Sequence, residues 1–116
     1  MDNQLLEDSL ELAVMTVRIV DQIDTPKSGY MADQLARAGT SVGANIHEAQ
    51  HAESIKDFIH KFEIALKEVN EAGYWLSVMV RTGRISQDDY LIADRLCMQI
   101  RRMLIASCKT AKSRLN

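Results

Sequence analysis

The motif that most directly suggests chemistry is the string HEAQH at residues 47–51. Residues four apart share a helix face, so His47 and His51 would hold Zn²⁺ while Glu48 activates a water molecule, as in zinc proteases. Glu71 would be the third ligand. Three fixed positions in five arise readily by chance, and a helical chain of 116 residues has little room for a substrate cleft. We therefore expect no catalytic residue, metal or cofactor, and a zinc-dependent hydrolase is the third of three functional hypotheses.

A carboxylate-bridged di-metal centre is the second kind of metal site that the acidic residues of the chain suggest. Such centres in helical bundles take a Glu-x-x-His pair from each of two helices. The sequence has one such pair, Glu48 and His51, and no second copy. The pattern therefore argues against a di-metal centre.

Charge is distributed unevenly along the chain, although its formal net charge is only −2. Residues 1–24 hold six acidic residues and one basic residue, whereas residues 95–116 hold six basic residues and no acidic residue. The basic segment supplies the candidate nucleic-acid contacts, which are Arg101, Arg102, Lys109, Lys112 and Arg114. The alternative is that these residues favour a helix C-terminus and pair with the acidic first segment, which an antiparallel bundle brings nearby.

Four amphipathic segments must position these side chains. Apolar residues recur at three- and four-residue steps over residues 3–24, 27–50, 54–82 and 86–111. Ser54 and Ser86 are predicted N-caps, and Gly83 is a predicted C-terminal stop. One proline and five glycines leave too few turns for an all-β fold. The sequence therefore predicts an all-α, antiparallel up-down-up-down four-helix bundle that forms a single domain over residues 1–116.

The middle of the second predicted helix consists of small residues and includes Gly39 and Gly43. A glycine inside a helix costs about 1 kcal/mol relative to alanine. Two of them in one helix predict that another backbone approaches closely at this point.

The first predicted helix carries two apolar stripes, which means that more than one of its faces should be buried. One stripe comprises Leu6, Leu10, Ala13, Val17 and Val20. The other comprises Leu5, Leu12, Met15, Ile19 and Ile23. The core of one bundle takes one stripe, so we expect the surplus to drive association between copies of the chain. The predicted oligomer interface is formed by Leu5, Leu12, Ile19, Ile64, Trp75 and Val78.

A run of residues in the middle of the chain resembles the signature of the bacterial four helix bundle protein family. The matching segments are QLARA at 34–38, SVGANI at 41–46, EA at 48–49, Ser54, DFIHK at 57–61, IALKE at 64–68, Glu71 and YWL at 74–76. Members of this family are encoded in intervening sequences of large-subunit ribosomal RNA genes or stand alone in genomes. The family is similar to the accessory protein of diversity-generating retroelements.

The resemblance implies a four-helix protomer, a ring-shaped homopentamer and no enzymatic activity. The retroelement accessory protein binds a reverse transcriptase and nucleic acid, so RNA or a nucleic-acid enzyme is the implied partner. Asn45, Glu48 and Glu71 fall on recurrent polar positions of the family. Two interpretations of these three residues stay open, a structural polar network and a binding site.

The expected compartment is the cytoplasm. The N-terminus is acidic rather than leader-like, and no stretch approaches the ~18 apolar residues of a membrane span. Cys97 and Cys108 lie eleven residues apart, which on one helix is a rise of about 16 Å and too far for a disulfide. We expect two buried thiols.

The function that we expect is that of a non-enzymatic, self-assembling helical adaptor that associates with RNA or a nucleic-acid enzyme. The alternative is a structural or protein-interaction module without nucleic-acid binding. No small-molecule cofactor and no membrane are expected as partners.

Overall fold

Four long helices make up the computed structural model, which describes residues 3–115 and, of Asn3, the backbone alone. The helices are α1 (Asn3–Asp21), α2 (Thr25–Ala49), α3 (Ile55–Arg81) and α4 (Gln87–Ser113). Within this described part, α1 and α3 each contact α2 and α4, and no contacts join α1 to α3 or α2 to α4. The helices therefore occupy the corners of a square in up-down-up-down order, which confirms the predicted all-α bundle.

The core is one continuous cluster along the bundle axis. Its largest fully buried side chains come from every helix and include Leu5, Leu12, Ile19, Leu35, Val42, Ile46, Phe62, Val69, Leu76, Met79, Ile100 and Leu104. The spacing of three and four residues within each helix produces this single buried stripe. None of the described helices is long and apolar enough to cross a lipid bilayer.

The predicted caps define the ends of α3 and the start of α4. Ser54 Oγ accepts a hydrogen bond from Asp57 N at 3.0 Å, and Ser86 Oγ accepts one from Asp89 N at 3.0 Å. Gly83 adopts φ 72°, so that Arg84 N donates to Met79 O at 2.9 Å. This is the Schellman pattern for which glycine is the preferred residue.

The first helix ends three residues before its predicted end at Asp24. Asp24 is extended (φ −69°, ψ 98°) and precedes α2, which accommodates Pro26 in its first turn. Because the proline fixes the start of α2, the chain must reverse over residues 22–24 rather than continue α1.

The two glycines of α2 let α1 approach closely, as the sequence predicts. A Cβ on Gly39 would overlap Thr16 Oγ1 and lie 2.8 Å from Thr16 Cγ2. A Cβ on Gly43 would lie 3.3 Å from the backbone oxygen of Ser9. Thr16 and Ser9 satisfy their hydroxyls within α1 by donating to Leu12 O (2.7 Å) and to Leu6 O (2.9 Å).

This close approach decides which stripe of α1 enters the core, and it contradicts part of the predicted interface. Leu5, Leu12 and Ile19 are at most 1% exposed within a single chain, so they are core residues rather than contacts between copies. The physical reason is that the small Ser9 and Thr16 flank this stripe and fit against the glycines of α2. Of the other stripe, Leu10 and Val17 are exposed, whereas Leu6 and Val20 are partly buried against the core. Ile64, Trp75 and Val78 are partly buried, and Trp75 and Val78 pack against the core.

Candidate functional site

The HEAQH string does not assemble a metal site. His47 is exposed in the last turn of α2, and His51 is exposed in the turn that follows. The carboxylate of Glu48 pairs with Lys61 (Nζ–Oε2 3.2 Å), and the carboxylate of Glu71 pairs with Arg37. Over residues 3–115, no three His, Cys, Asp or Glu side chains are placed to hold a metal ion together.

The three polar positions suggested by the resemblance lie between α2 and α3 but do not form one network. Asn45 Nδ2 donates to Ser41 O within α2 at 2.9 Å. Glu48 is 61% exposed at its side chain and bonds to α3 through Lys61. The carboxylate of Glu48 is therefore not part of a buried polar network.

Glu71 belongs to a second connection between α2 and α3. Arg37 of α2 reaches both Glu71 and Glu68, the latter at 2.9 Å, and these carboxylates, Glu71 foremost, raise the pKa of Arg37. The ion pairs of Glu48 and Glu71 thus tie α2 to α3 at separate points on an exposed surface. Neither carboxylate is aimed at an empty cavity.

The candidate nucleic-acid contacts of α4 fall into two groups. Lys112 pairs with Glu63 of α3 at 3.1 Å, and Arg101 is half-buried with its Nε enclosed and without a hydrogen-bond partner. Arg102, Lys109 and Arg114 are exposed and form no ion pair with the described residues. The cationic surface that solvent can reach is therefore smaller than predicted, because it comprises three of the five predicted residues.

Arg95, which is not among the predicted nucleic-acid contacts, extends this surface. Arg95, Arg102 and Lys109 follow one another at seven-residue steps, so they lie in one row along the exposed side of α4. The seven-residue spacing is the signal by which the sequence could have identified the row.

The acidic residues of α1 do not neutralise these bases. All four ion pairs found in the described part of the chain join α2 to α3 or α3 to α4. Asp8 is buried and accepts a hydrogen bond from Gln4 Nε2 at 2.7 Å, whereas Glu7 and Glu11 are exposed. Asp2, which also belongs to the acidic first segment, lies outside the described residues.

The second feature of the surface is an apolar stripe on α1, here called the α1 stripe and formed by Leu6, Leu10, Ala13, Val17 and Val20. Leu6, Ala13 and Val20 are partly buried, whereas Leu10 and Val17 are exposed. Leu10 is 54% exposed and Val17 is 49% exposed. The steps of four, three, four and three residues are those of the contact seam of a coiled coil. A stripe with this spacing on a surface helix is typical of a contact with another helix.

A second apolar row, here called the α4 row, is formed by Leu91, Met98 and Ile105. All three side chains are about half exposed, and seven residues separate each from the next. The basic row of Arg95 and Arg102 runs beside it. The molecule thus exposes two apolar rows. The charged neighbours of the first are mainly acidic, with Arg18 as the exception, and the second lies beside the basic row.

In the described part of the chain, a surface depression of about 340 Å³ gathers titratable groups, namely Glu63, Cys108, Lys109 and Lys112. A surface depression of about 570 Å³ opens between the ends of α2, α3 and α4, and Arg114 is the one charged residue that lines it. Cys97 and Cys108 are free and buried, as predicted, and burial raises the pKa of Cys97 to about 12 and also raises the pKa of Cys108. Both thiols are therefore protonated, weak nucleophiles at neutral pH.

Comparisons with known proteins agree with this geometry. The crystal structure of a protein of unknown function from the S23 ribosomal protein family of Bacteroides thetaiotaomicron superposes with a TM-score of 0.87 and 41% sequence identity. The match covers 93% of this chain and 97% of that chain. A search of curated proteins found no match. The model of the 23S rRNA-intervening sequence protein family matches residues 1–106, and the chain belongs to this family.

Proposed function

We propose that this protein is a non-enzymatic, self-assembling helical adaptor. The observation that carries the proposal is the α1 stripe, in which Leu10 and Val17 are about half exposed on a helix whose other face fills the core. Monomeric soluble proteins rarely expose contiguous apolar patches beyond a few hundred Å². Complete burial of a large apolar side chain contributes about 1.5–3 kcal/mol, so a row of them can drive association.

The proposed assembly is a homopentamer. Five is the number of subunits implied by the resemblance to the accessory protein of diversity-generating retroelements. A closed ring of identical subunits covers the apolar surface of each copy without leaving a free end. The proposal includes a cytoplasmic location, because the fold does not depend on a disulfide.

The mass of the protein in solution tests this proposal. Light scattering on a size-exclusion column at micromolar concentration should give about 65 kDa, five times the 13.1 kDa of the chain. The double variant Leu10→Lys/Val17→Lys should elute as a monomer. Tyr30→Lys is the matched control, because Tyr30 is equally apolar and exposed but belongs to α2, and it should keep the assembly. A monomeric wild type would overturn self-assembly, and a dimer or tetramer would overturn the number five.

A second proposed activity is contact with RNA through the exposed bases of α4. The observation that favours it is that Lys109 and Arg114, near the end of α4, extend into solvent without acidic partners among the described residues. The description of the family, 23S rRNA-intervening sequence protein, links its members to ribosomal RNA genes. Because such contacts release counterions, the binding constant should fall steeply as salt rises.

Fluorescence anisotropy with a structured RNA and a single-stranded DNA tests this second proposal. Binding at low salt should disappear when Lys109 and Arg114 are changed to alanine. The matched control is Lys56→Ala, which removes an exposed base from α3 and should leave binding unchanged. The absence of any anisotropy change at low salt would favour a structural or protein-interaction module without nucleic acid.

A further inference from the structure

We propose that the α1 stripe of one copy docks on the α4 row of the next copy, head to tail. The inference rests on the proposed self-assembly and names the second surface of the contact. It differs from a two-fold contact in which the α1 stripe would meet its own counterpart. Head-to-tail contacts form a ring when the rotation between neighbours closes, whereas two-fold contacts stop at dimers.

The positions of the two rows on the bundle support this pairing. On α1, Ser9 and Thr16 face α2, and Gln4 and Asp8 line a depression shared with α4. The α1 stripe is therefore turned away from α4, outward from the α1–α2 side of the square.

The α4 row has the corresponding position on the other side. Ile105 lines a depression together with Glu63 and Leu66 of α3, so the row opens from the α3–α4 side. The α1–α2 and α3–α4 sides are opposite sides of the square, because α1 does not contact α3 and α2 does not contact α4. Two different faces on one protomer let each copy contact two neighbours, as a head-to-tail assembly requires.

The two rows have the same seven-residue spacing, so they can be aligned with all three residues of one row opposite three residues of the other. Leu6, Ala13 and Val20 follow each other at seven-residue steps, and so do Leu91, Met98 and Ile105. Two neighbours in a ring with the same orientation place α1 antiparallel to the next copy's α4, as the two helices are within one protomer. Leu6 then lies opposite Ile105, Ala13 opposite Met98, and Val20 opposite Leu91.

Charge complementarity distinguishes this contact from its two-fold alternative. Glu7 and Asp21 are exposed at the edge of the α1 stripe, and Arg95 and Arg102 are exposed at the edge of the α4 row. None of the four is in an ion pair in the described chain. A contact between two α1 stripes would place carboxylates near carboxylates, and a contact between two α4 rows would place guanidinium groups together. Pairing α1 with α4 brings opposite charges together at the rim.

Cysteine cross-linking tests the pairing directly. In the double variant Ala13→Cys/Met98→Cys, a short bis-maleimide should join successive copies and give a ladder of covalent species up to the full ring. The two positions lie on opposite sides of the protomer, so a link within one chain does not compete. Each single variant should give no covalent oligomer, and the wild type, whose two cysteines are buried, controls for background labelling.

The outcomes distinguish a failure of the pairing alone from a failure of the self-assembly on which it rests. Covalent dimers formed by Ala13→Cys alone would show a two-fold α1 contact and overturn the head-to-tail pairing, while self-assembly would stand. An oligomer by light scattering that gives no ladder from the double variant would also overturn the pairing, because other surfaces would then carry the assembly. A monomeric wild type would overturn both.

Discussion

The close approach of Gly39 in α2 to Thr16 in α1 gives the sharpest test of the fold. Gly39→Ala would place a Cβ 2.8 Å from Thr16 Cγ2 and 3.0 Å from Thr16 Cβ, whereas ordinary contact begins at about 3.4 Å. Thr16 cannot rotate freely, because its hydroxyl donates to Leu12 O. Overpacking of this kind costs about 1–3 kcal/mol, and the higher helix propensity of alanine offsets about 1 kcal/mol. We expect a net loss of about 1 kcal/mol, which lowers the Tm by roughly 4 °C in a domain of this size.

The matched control is Gly73→Ala in α3, where no heavy atom lies within 4 Å of an added Cβ. This variant should gain about 1 kcal/mol from helix propensity alone. Urea unfolding followed by circular dichroism at one fixed protein concentration measures both changes, since assembly would make stability depend on concentration. Adding Thr16→Ala should recover part of the loss in Gly39→Ala. Equal stabilisation by both glycine replacements would refute the close approach of α1 to α2.

Three further predictions concern the thiols, the metal and the charges. Because the pKa of Cys97 is about 12, its thiol should label slowly with iodoacetamide at pH 8 and rapidly once urea unfolds the chain, as mass spectrometry would show; fast labelling in the native protein would contradict its burial. Elemental analysis should find far less than one zinc per chain, and stoichiometric zinc that is lost in His47→Ala/His51→Ala would reverse the assignment as a non-enzyme. Glu7→Arg and Arg102→Glu should each weaken assembly in light scattering, and the double variant should restore it; a double variant weaker than both would exclude their pairing.

The features that could be predicted from the sequence depend on interactions between residues close in the chain. Ser54 and Ser86 cap helices because a short hydroxyl side chain reaches an amide three residues ahead. Gly83 ends α3 because glycine adopts a positive φ without a steric penalty. Gly39 and Gly43 indicated a close helix contact because glycine inside a helix needs compensation from packing.

The choice between the two stripes of α1 could not be predicted in the same way, because it depends on the partner helix. Both stripes are apolar and have helical spacing, so periodicity alone ranks them equally. Ser9 and Thr16 are polar residues, yet both can be buried because their hydroxyls donate hydrogen bonds to carbonyls of their own helix. Their small size then matters more than their polarity, and it places Leu12 inside and Leu10 outside.

In a ring, the basic surfaces of all copies would bind one RNA together, with a higher affinity than the surface of a single copy. The C-terminal turns of α4 from all copies would lie at one end of a ring, so the few exposed bases of each copy, Lys109 and Arg114 among them, would act together on one RNA. Linked sites of this kind gain affinity through effective concentration without any new contact. Leu10→Lys/Val17→Lys should therefore weaken RNA binding at least tenfold although α4 is unchanged and the variant adds positive charge. Anisotropy titrations at one salt concentration, beside the Tyr30→Lys control, measure this effect, and equal affinity of the monomeric variant and the wild type would show that each copy binds RNA alone.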